Sequence, residues 1–203
     1  MRRYDDFARD LLATKADVRI VGVDGYGAAG KTTFAARLAR AAGDAPVVHT
    51  DDFASFEEPL DWWPRMLAEV IDPLMRGETA TFRPYDWVRR EMSADPIRIA
   101  PATLVVVEGV GATRKAWRDR LVKRIWVEAP RDLRLHRGLD RDGIHMLDFW
   151  TWWMAEEDGY VADEHPETTA DLHVDGDPSI PHEPETEFVE IDNPRGRELS
   201  EPR

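Results

Sequence analysis

Residues 25–32 read Gly-Tyr-Gly-Ala-Ala-Gly-Lys-Thr and fit the spacing Gly-x-x-x-x-Gly-Lys-Thr. Those residue types at that spacing can hold a polyphosphate. Glycine lets backbone N–H groups turn inward and approach phosphate oxygens closely. A helix starting near Gly30 adds its positive end. Lys31 can reach the β- and γ-phosphates, and the Thr32 hydroxyl can ligate Mg²⁺. The donor-binding set expected from this stretch is Gly25, Gly27, Ala28, Ala29, Gly30, Lys31, Thr32 and Thr33.

Three further groups have the chemistry to complete a phosphoryl transfer. "HTDDF" (49–53) closes a short apolar run. A carboxylate from Asp51 or Asp52 there can take a proton from an acceptor hydroxyl; the bland alternative is a solvated turn or helix cap. "VVVEGV" (105–110) places Glu108 at the end of an apolar strand, where it can hold Mg²⁺ or its water. Arg131, Arg134, Arg137 and Arg141 run along one basic segment, and the last three are three and four residues apart. On a helix those three share a face. Such arginines can close over a transferring phosphoryl group and neutralise its charge, whereas Arg131 reads as an ordinary solvated partner of nearby carboxylates.

These groups require a frame. The pattern predicts helices over 4–15, 31–43, 60–77, 131–143 and 147–164, and strands over 18–25, 45–52, 103–110, 121–130 and 170–176. The proline-bearing stretches 79–92 and 95–101 read as a hairpin or irregular excursion. Strand alternating with helix gives a parallel sheet with helices on both faces, and ligands bind beyond the carboxyl ends of its strands. Residues 1–176 form the expected domain. Residues 177–203 are acidic and Pro-rich; "TEFVEID" can add an edge strand before a solvated tail. "AEEDGY" (155–160) reads as a solvated helix end. Of the eight tryptophans, Trp150 and Trp153 read as packing residues, and so do Trp62 and Trp63 unless they line an acceptor pocket.

Composition removes several classes. A formal charge of −13 over 203 residues argues against a nucleic-acid surface. No cysteine is present, which excludes disulfides and thiolate metal sites. No apolar run has signal-peptide or membrane length, so the expectation is a soluble cytoplasmic protein without a membrane partner. A guanine-reading Asn-Lys-x-Asp element is missing, and glutamine, which orients water in many nucleotide switches, is absent. With the phosphate loop, the aspartate pair, Glu108 and the arginines in that order, these absences favour transfer from ATP, with Mg²⁺, to a small-molecule substrate. A homodimer stays open.

The ordered set resembles the uridine kinase-like branch of the P-loop kinases, whose relatives include pantothenate kinase and phosphoribulokinase. The likeness covers roughly residues 18–176. It rests on "GVDGYGAAGKTTFA", "HTDDF", "RPYDW" (83–87), "VVVEGV" and "LRLHRGLDRDG" (133–143). It implies a three-layer P-loop fold with a small substrate hairpin and an arginine lid. It selects Asp51 as the catalytic base, with Lys31 and Arg137 at the transferring group and Arg134 and Arg141 beside them on the lid. It gives Thr32, Glu108 and Asp51 to the metal, and Tyr85 and Asp86 to the acceptor, with Asp52 nearby. The chain departs from the family where a uridine kinase tends to carry a histidine just past the Tyr-Asp pair: Arg89 and Arg90 stand there. Two guanidinium groups beside the acceptor suit an anionic group; the bland alternative is that they face solvent on the hairpin. They make a nucleoside-monophosphate kinase the runner-up to a kinase of nucleosides or similar metabolites, with a non-catalytic nucleotide-binding regulator as a third reading.

Overall fold

Short runs of β-branched residues make the strands of a six-stranded sheet in the computed structural model, which describes residues 1–192. Across the sheet the strands run Glu190–Ile191, Leu172–Asp175, Lys123–Glu128, Ile20–Asp24, Val105–Glu108 and Val47–His49. Five are mutually parallel, and Glu190–Ile191 lies antiparallel on the edge. Strand order reverses direction on either side of Ile20–Asp24. That reversal opens a crevice at the carboxyl ends, where Asp24, His49, Glu108, Glu128 and Asp175 are the terminal strand residues.

Strand alternation divides the core into two apolar clusters. Val21, Val23, Val106, Ile125 and Val127 belong to one, with Phe7 and Leu11 of the helix Tyr4–Ala13 and Phe34 and Leu38 of the helix Lys31–Ala41. Ile20, Val48, Val105 and Val107 belong to the other. They pack with Met66, Val70, Ile71 and Leu74, and with Trp150, Trp153 and Met154 of the helix Leu147–Glu164. Two helical layers around a sheet are the three-layer arrangement expected from the sequence.

The helix bearing Met66 and Leu74 is α over Trp63–Met66, widens to a π turn over Leu67–Ile71, and returns to α over Asp72–Met75. Pro73 lacks the N–H that an α register would need, and a widened turn absorbs the lost bond. The excursion between the second and third parallel strands forms two small antiparallel ladders. Ala80–Phe82 pairs with Ile97–Ile99, and Tyr85–Asp86 with Glu91–Met92.

The segment beyond residue 176 returns to the body of the fold. Glu187–Phe188 pairs with Arg2–Arg3, and the Phe188 ring packs against Tyr4, Phe7 and Phe34. Residues 187–191 therefore share the core of residues 4–176. The solvated tail expected over the last ten residues lies outside the described residues. No helix among the described residues is long and apolar enough to cross a membrane.

Candidate functional site

A cavity of about 940 Å³ lies at the carboxyl ends of the strands, with the phosphate loop in its wall. The loop follows Ile20–Asp24 directly. Gly25 has φ 143°, and a Cβ there would stand 2.3 Å from the Val127 carbonyl oxygen, so only glycine fits. Gly30, at φ 105°, caps the helix Lys31–Ala41. Gly27, Ala28, Gly30, Lys31, Thr32 and Thr33 line the cavity; Gly25 and Ala29 shape the loop from behind it. The first-turn N–H groups of that helix have no intrahelical partners and are available to an anion. Lys31 Nζ donates to the Tyr26 carbonyl at 2.7 Å, a bond it would exchange for phosphate oxygens.

The metal candidates meet beside the loop. Thr32 Oγ1 donates to the Glu108 carboxylate at 3.2 Å, and Glu108 is 4% exposed. His49, assigned no role from the sequence, places Nδ1 2.5 Å from Glu108 Oε1. That bond, with help from nearby aspartates, raises the imidazole pKa against the lowering effect of burial. Among the described residues no three His, Asp or Glu side chains gather into a metal cage. Mg²⁺ does not require one, because it keeps waters and uses one or two carboxylates plus substrate phosphates. Thr32 and Glu108 fit that demand, with Asp51 on the same wall.

Asp51 and Asp52 both line the cavity. The strand stops at His49, and Thr50–Asp52 is a turn of 3-10 helix. Three residues per turn put neighbouring side chains about 120° apart, not on opposite faces as in a strand. Asp51 is open to the cavity yet walled by protein, and this loss of water raises its carboxyl pKa. Lys31 pulls it down, and Glu108 pushes it up. Burial raises Asp52 as well.

The four arginines separate. Arg137 lines the cavity and donates to the Gly176 carbonyl at 3.1 Å and to Asp177 at 2.9 Å. Arg141 lines it too, held by Asp142. Arg131 pairs with Asp158 on the surface. Arg134, expected on the cavity side, is instead 3% exposed behind the loop, 3.6 Å from Glu157. Glu157 is fully buried, which corrects the reading of "AEEDGY" as a solvated end. The sequence carried the signal: residues 150, 153, 154, 157 and 161 follow the helical period, and Glu157 lies on that apolar stripe.

The hairpin residues also differ from expectation. Asp86 Oδ1 accepts the N–H groups of Val88 and Arg89, so it shapes the turn. Tyr85 faces a second groove with Arg65, Arg83 and Met92. Arg89 is three-quarters exposed near Asp86, and Arg90 lies with its guanidinium 4.6 Å over the Phe56 ring. None of these four lines the cavity; the hairpin residues that do are Trp87 and Val88. Trp87 Nε1 donates to the Asp51 carbonyl at 3.3 Å. Its ring contacts Phe56 and Trp153, and Phe149 contacts both of those, giving an aromatic wall beside the aspartates. Trp62 lies in the core against Phe53 and Trp117.

Sequence reasoning also missed Asp24. This buried carboxylate accepts from the N–H groups of Gly25, Gly111 and Thr113, the Thr113 hydroxyl and the Tyr160 hydroxyl at 2.7 Å. It ties the start of the loop to the turn after Glu108 and to the long helix. Its one sequence signal is an acid ending the apolar run Ile20–Val23.

No family model matches the chain. A uridine kinase of Halobacterium salinarum is 28% identical over 140 residues, covering 61% of this chain and 62% of the relative. The match thus spans about three-fifths of each protein's length. A uridine kinase of Deinococcus deserti is 27% identical over 141 residues, covering 61% of this chain and 68% of the relative. Among solved structures, a possible uridine kinase from Bacillus stearothermophilus superposes with a TM-score of 0.64 at 21% identity, over 84% of this chain and 96% of that one. In sequence the chain resembles the uridine kinase-like P-loop kinases, and its fold is theirs.

Proposed function

We propose that the protein is an ATP- and Mg²⁺-dependent kinase that transfers the γ-phosphoryl group to a hydroxyl of a small, uncharged molecule of nucleoside type. The observation that carries this reading is one cavity joining the phosphate loop, the Thr32–Glu108 pair, Asp51 and an aromatic wall. The names of the relatives support it.

Lys31 and the first-turn N–H groups bind the donor phosphates. Thr32 and Glu108, with Asp51 through water, would hold Mg²⁺, which would offset charge on the donor phosphates. Phe56, Trp87, Phe149 and Trp153 take the flat part of the acceptor. Asp51 orients its hydroxyl and receives the proton as the oxygen bonds to the γ-phosphorus and the bond to the β-phosphate oxygen breaks. Arg137 and Arg141 stabilise the charge on the group in transit.

The arginines lining the cavity are Arg37, Arg137 and Arg141. Arg89 and Arg90 stand outside it, which removes the support they lent to a phosphorylated acceptor. ADP release should be scored over nucleosides, nucleoside monophosphates, pantothenate-like compounds and sugars. Acceptor-dependent release with a nucleoside or another uncharged alcohol is expected. Turnover confined to monophosphates overturns the acceptor class, and donor binding without turnover on any acceptor overturns the kinase.

A further inference from the structure

The phosphate loop rests on a buried carboxylate that phosphoryl transfer does not consume. Glu157 Oε1 accepts the Gly27 N–H at 2.7 Å and the Trp153 Nε1–H at 2.7 Å. Glu157 Oε2 has no hydrogen-bond partner among the described residues, nor does Arg134 Nη1 3.6 Å away. Arg134 donates through Nε to the Ala129 carbonyl and places its guanidinium 4.1 Å over the Tyr26 ring. A single peptide unit, Tyr26–Gly27, is therefore gripped at both ends. Its carbonyl accepts from Lys31, and its N–H donates to Glu157.

A trans peptide is planar, so two anchors on opposite sides fix its orientation. Turned over, it would aim its carbonyl at a buried carboxylate and strand two acceptors without a donor, which is costly. A Cβ at 27 would stand 2.7 Å from Glu157 Oε1, so a side chain there would push the carboxylate away from the Gly27 N–H. The groups around this carboxylate come from two helices, its own and the arginine helix. Trp153 belongs to the aromatic wall, and Arg134 to the arginine helix.

We infer that Glu157 is a positioning residue that locks the Tyr26–Gly27 peptide with its carbonyl toward Lys31, and so holds the phosphate loop in its receiving shape. This rests on reading the loop as a polyphosphate site. It adds a residue that shapes the loop from beneath without touching donor or acceptor.

Calorimetric titration with ADP plus Mg²⁺, and separately with adenosine, should be run on wild type, Glu157→Ala and Glu157→Gln. The alanine variant is expected to bind ADP about 10- to 100-fold more weakly, as loss of a hydrogen bond to a charged group implies, with adenosine weakened far less, because only the Trp153 indole bond links Glu157 to the aromatic wall. The glutamine variant keeps an amide oxygen for both N–H groups and should stay within about threefold of wild type. A merely structural role would weaken both ligands together. Wild-type ADP binding in Glu157→Ala, parallel loss of adenosine, or a glutamine variant as weak as alanine overturns the inference.

Hydrogen exchange at the Gly27 amide, followed by NMR without ligand, keeps the question open to test if the alanine variant does not fold. Protection in wild type and in Glu157→Gln is expected, and exchange at the rate of an exposed loop amide in either overturns the inference. A wild-type protein that binds no ADP but protects Gly27 counts against the polyphosphate reading alone.

Discussion

Asp51→Asn is the substitution that most directly tests the acceptor side of the site. A positioned general base contributes roughly 10²–10⁴-fold. Two features place the expected loss in the lower part of that range. Phosphoryl transfer is loose, so orienting the hydroxyl matters more than removing its proton. Asp52 shares the 3-10 turn and the cavity wall, and stands near enough to orient the hydroxyl in part. The expectation is a kcat about 10²–10³-fold lower with donor affinity preserved, and a loss below about tenfold for Asp52→Asn.

Stability should move the other way. The folded pKa of Asp51 is raised, chiefly by burial, so ionisation is disfavoured in the folded state. Relative to an unperturbed carboxyl, its contribution is fully present below the unfolded pKa and is lost as pH rises through the folded one. In the metal-free protein Asp51→Asn should therefore raise the Tm at neutral pH and change it little in acid. The assay pairs ADP release with an identified acceptor and thermal melts at both pH values. A variant within about threefold of wild type in kcat, far above the floor for a positioned base, refutes the assigned role. A Tm that falls at neutral pH refutes the electrostatic argument.

Lys31→Ala should leave a folded protein, by circular dichroism, that has lost nearly all ADP release, because the charge on the donor phosphates goes with it. Trp87→Ala should raise the acceptor KM with donor affinity unchanged, while Arg89→Ala should change neither; the reverse pattern would return the hairpin arginines to the acceptor. Asp24→Ala strands five donors in the interior. At about 1–3 kcal/mol each, that loss rivals a whole net stability of about 5–15 kcal/mol, so denaturant melts should show a protein at or below the edge of folding.

The parts legible in the sequence were those whose signal is local. Gly25–Thr32 sits between an apolar strand and an Ala/Leu helix, and its glycines answer to backbone angles that a sequence spacing can report. Glu108 was legible because a single acid closing an all-apolar run stands out on its strand. Asp51 and Asp52 were singled out and both line the cavity, but their geometry was not legible. Alternation assumes that strand geometry continues, and nothing in "HTDDF" marks the change to a 3-10 turn after His49.

The arginines show where periodicity stops informing. Arg134 and Arg141 differ by only about 20° around an ideal helix but by about 10 Å along it. Their shared face was read correctly from the spacing, yet one end of the Arg131–Asp142 helix passes behind the phosphate loop and the other meets the cavity. One end meets Glu157, 23 positions beyond Arg134, and the other opens on the cavity wall that carries Asp51, 90 positions before Arg141. The same long reach explains Arg89 and Arg90. Their charge suggested an anion, but Asp86 folds the turn beneath them and sends Trp87 into the cavity in their place. Charge type in a hairpin is a property of sequence, whereas the direction of its side chains belongs to the turn. The aromatic wall closes only when residues 56, 87, 149 and 153 are brought together from three segments of the fold. The acceptor class is thus written in tertiary contacts. For that reason Trp87→Ala, and not an arginine variant, is the substitution expected to move acceptor affinity.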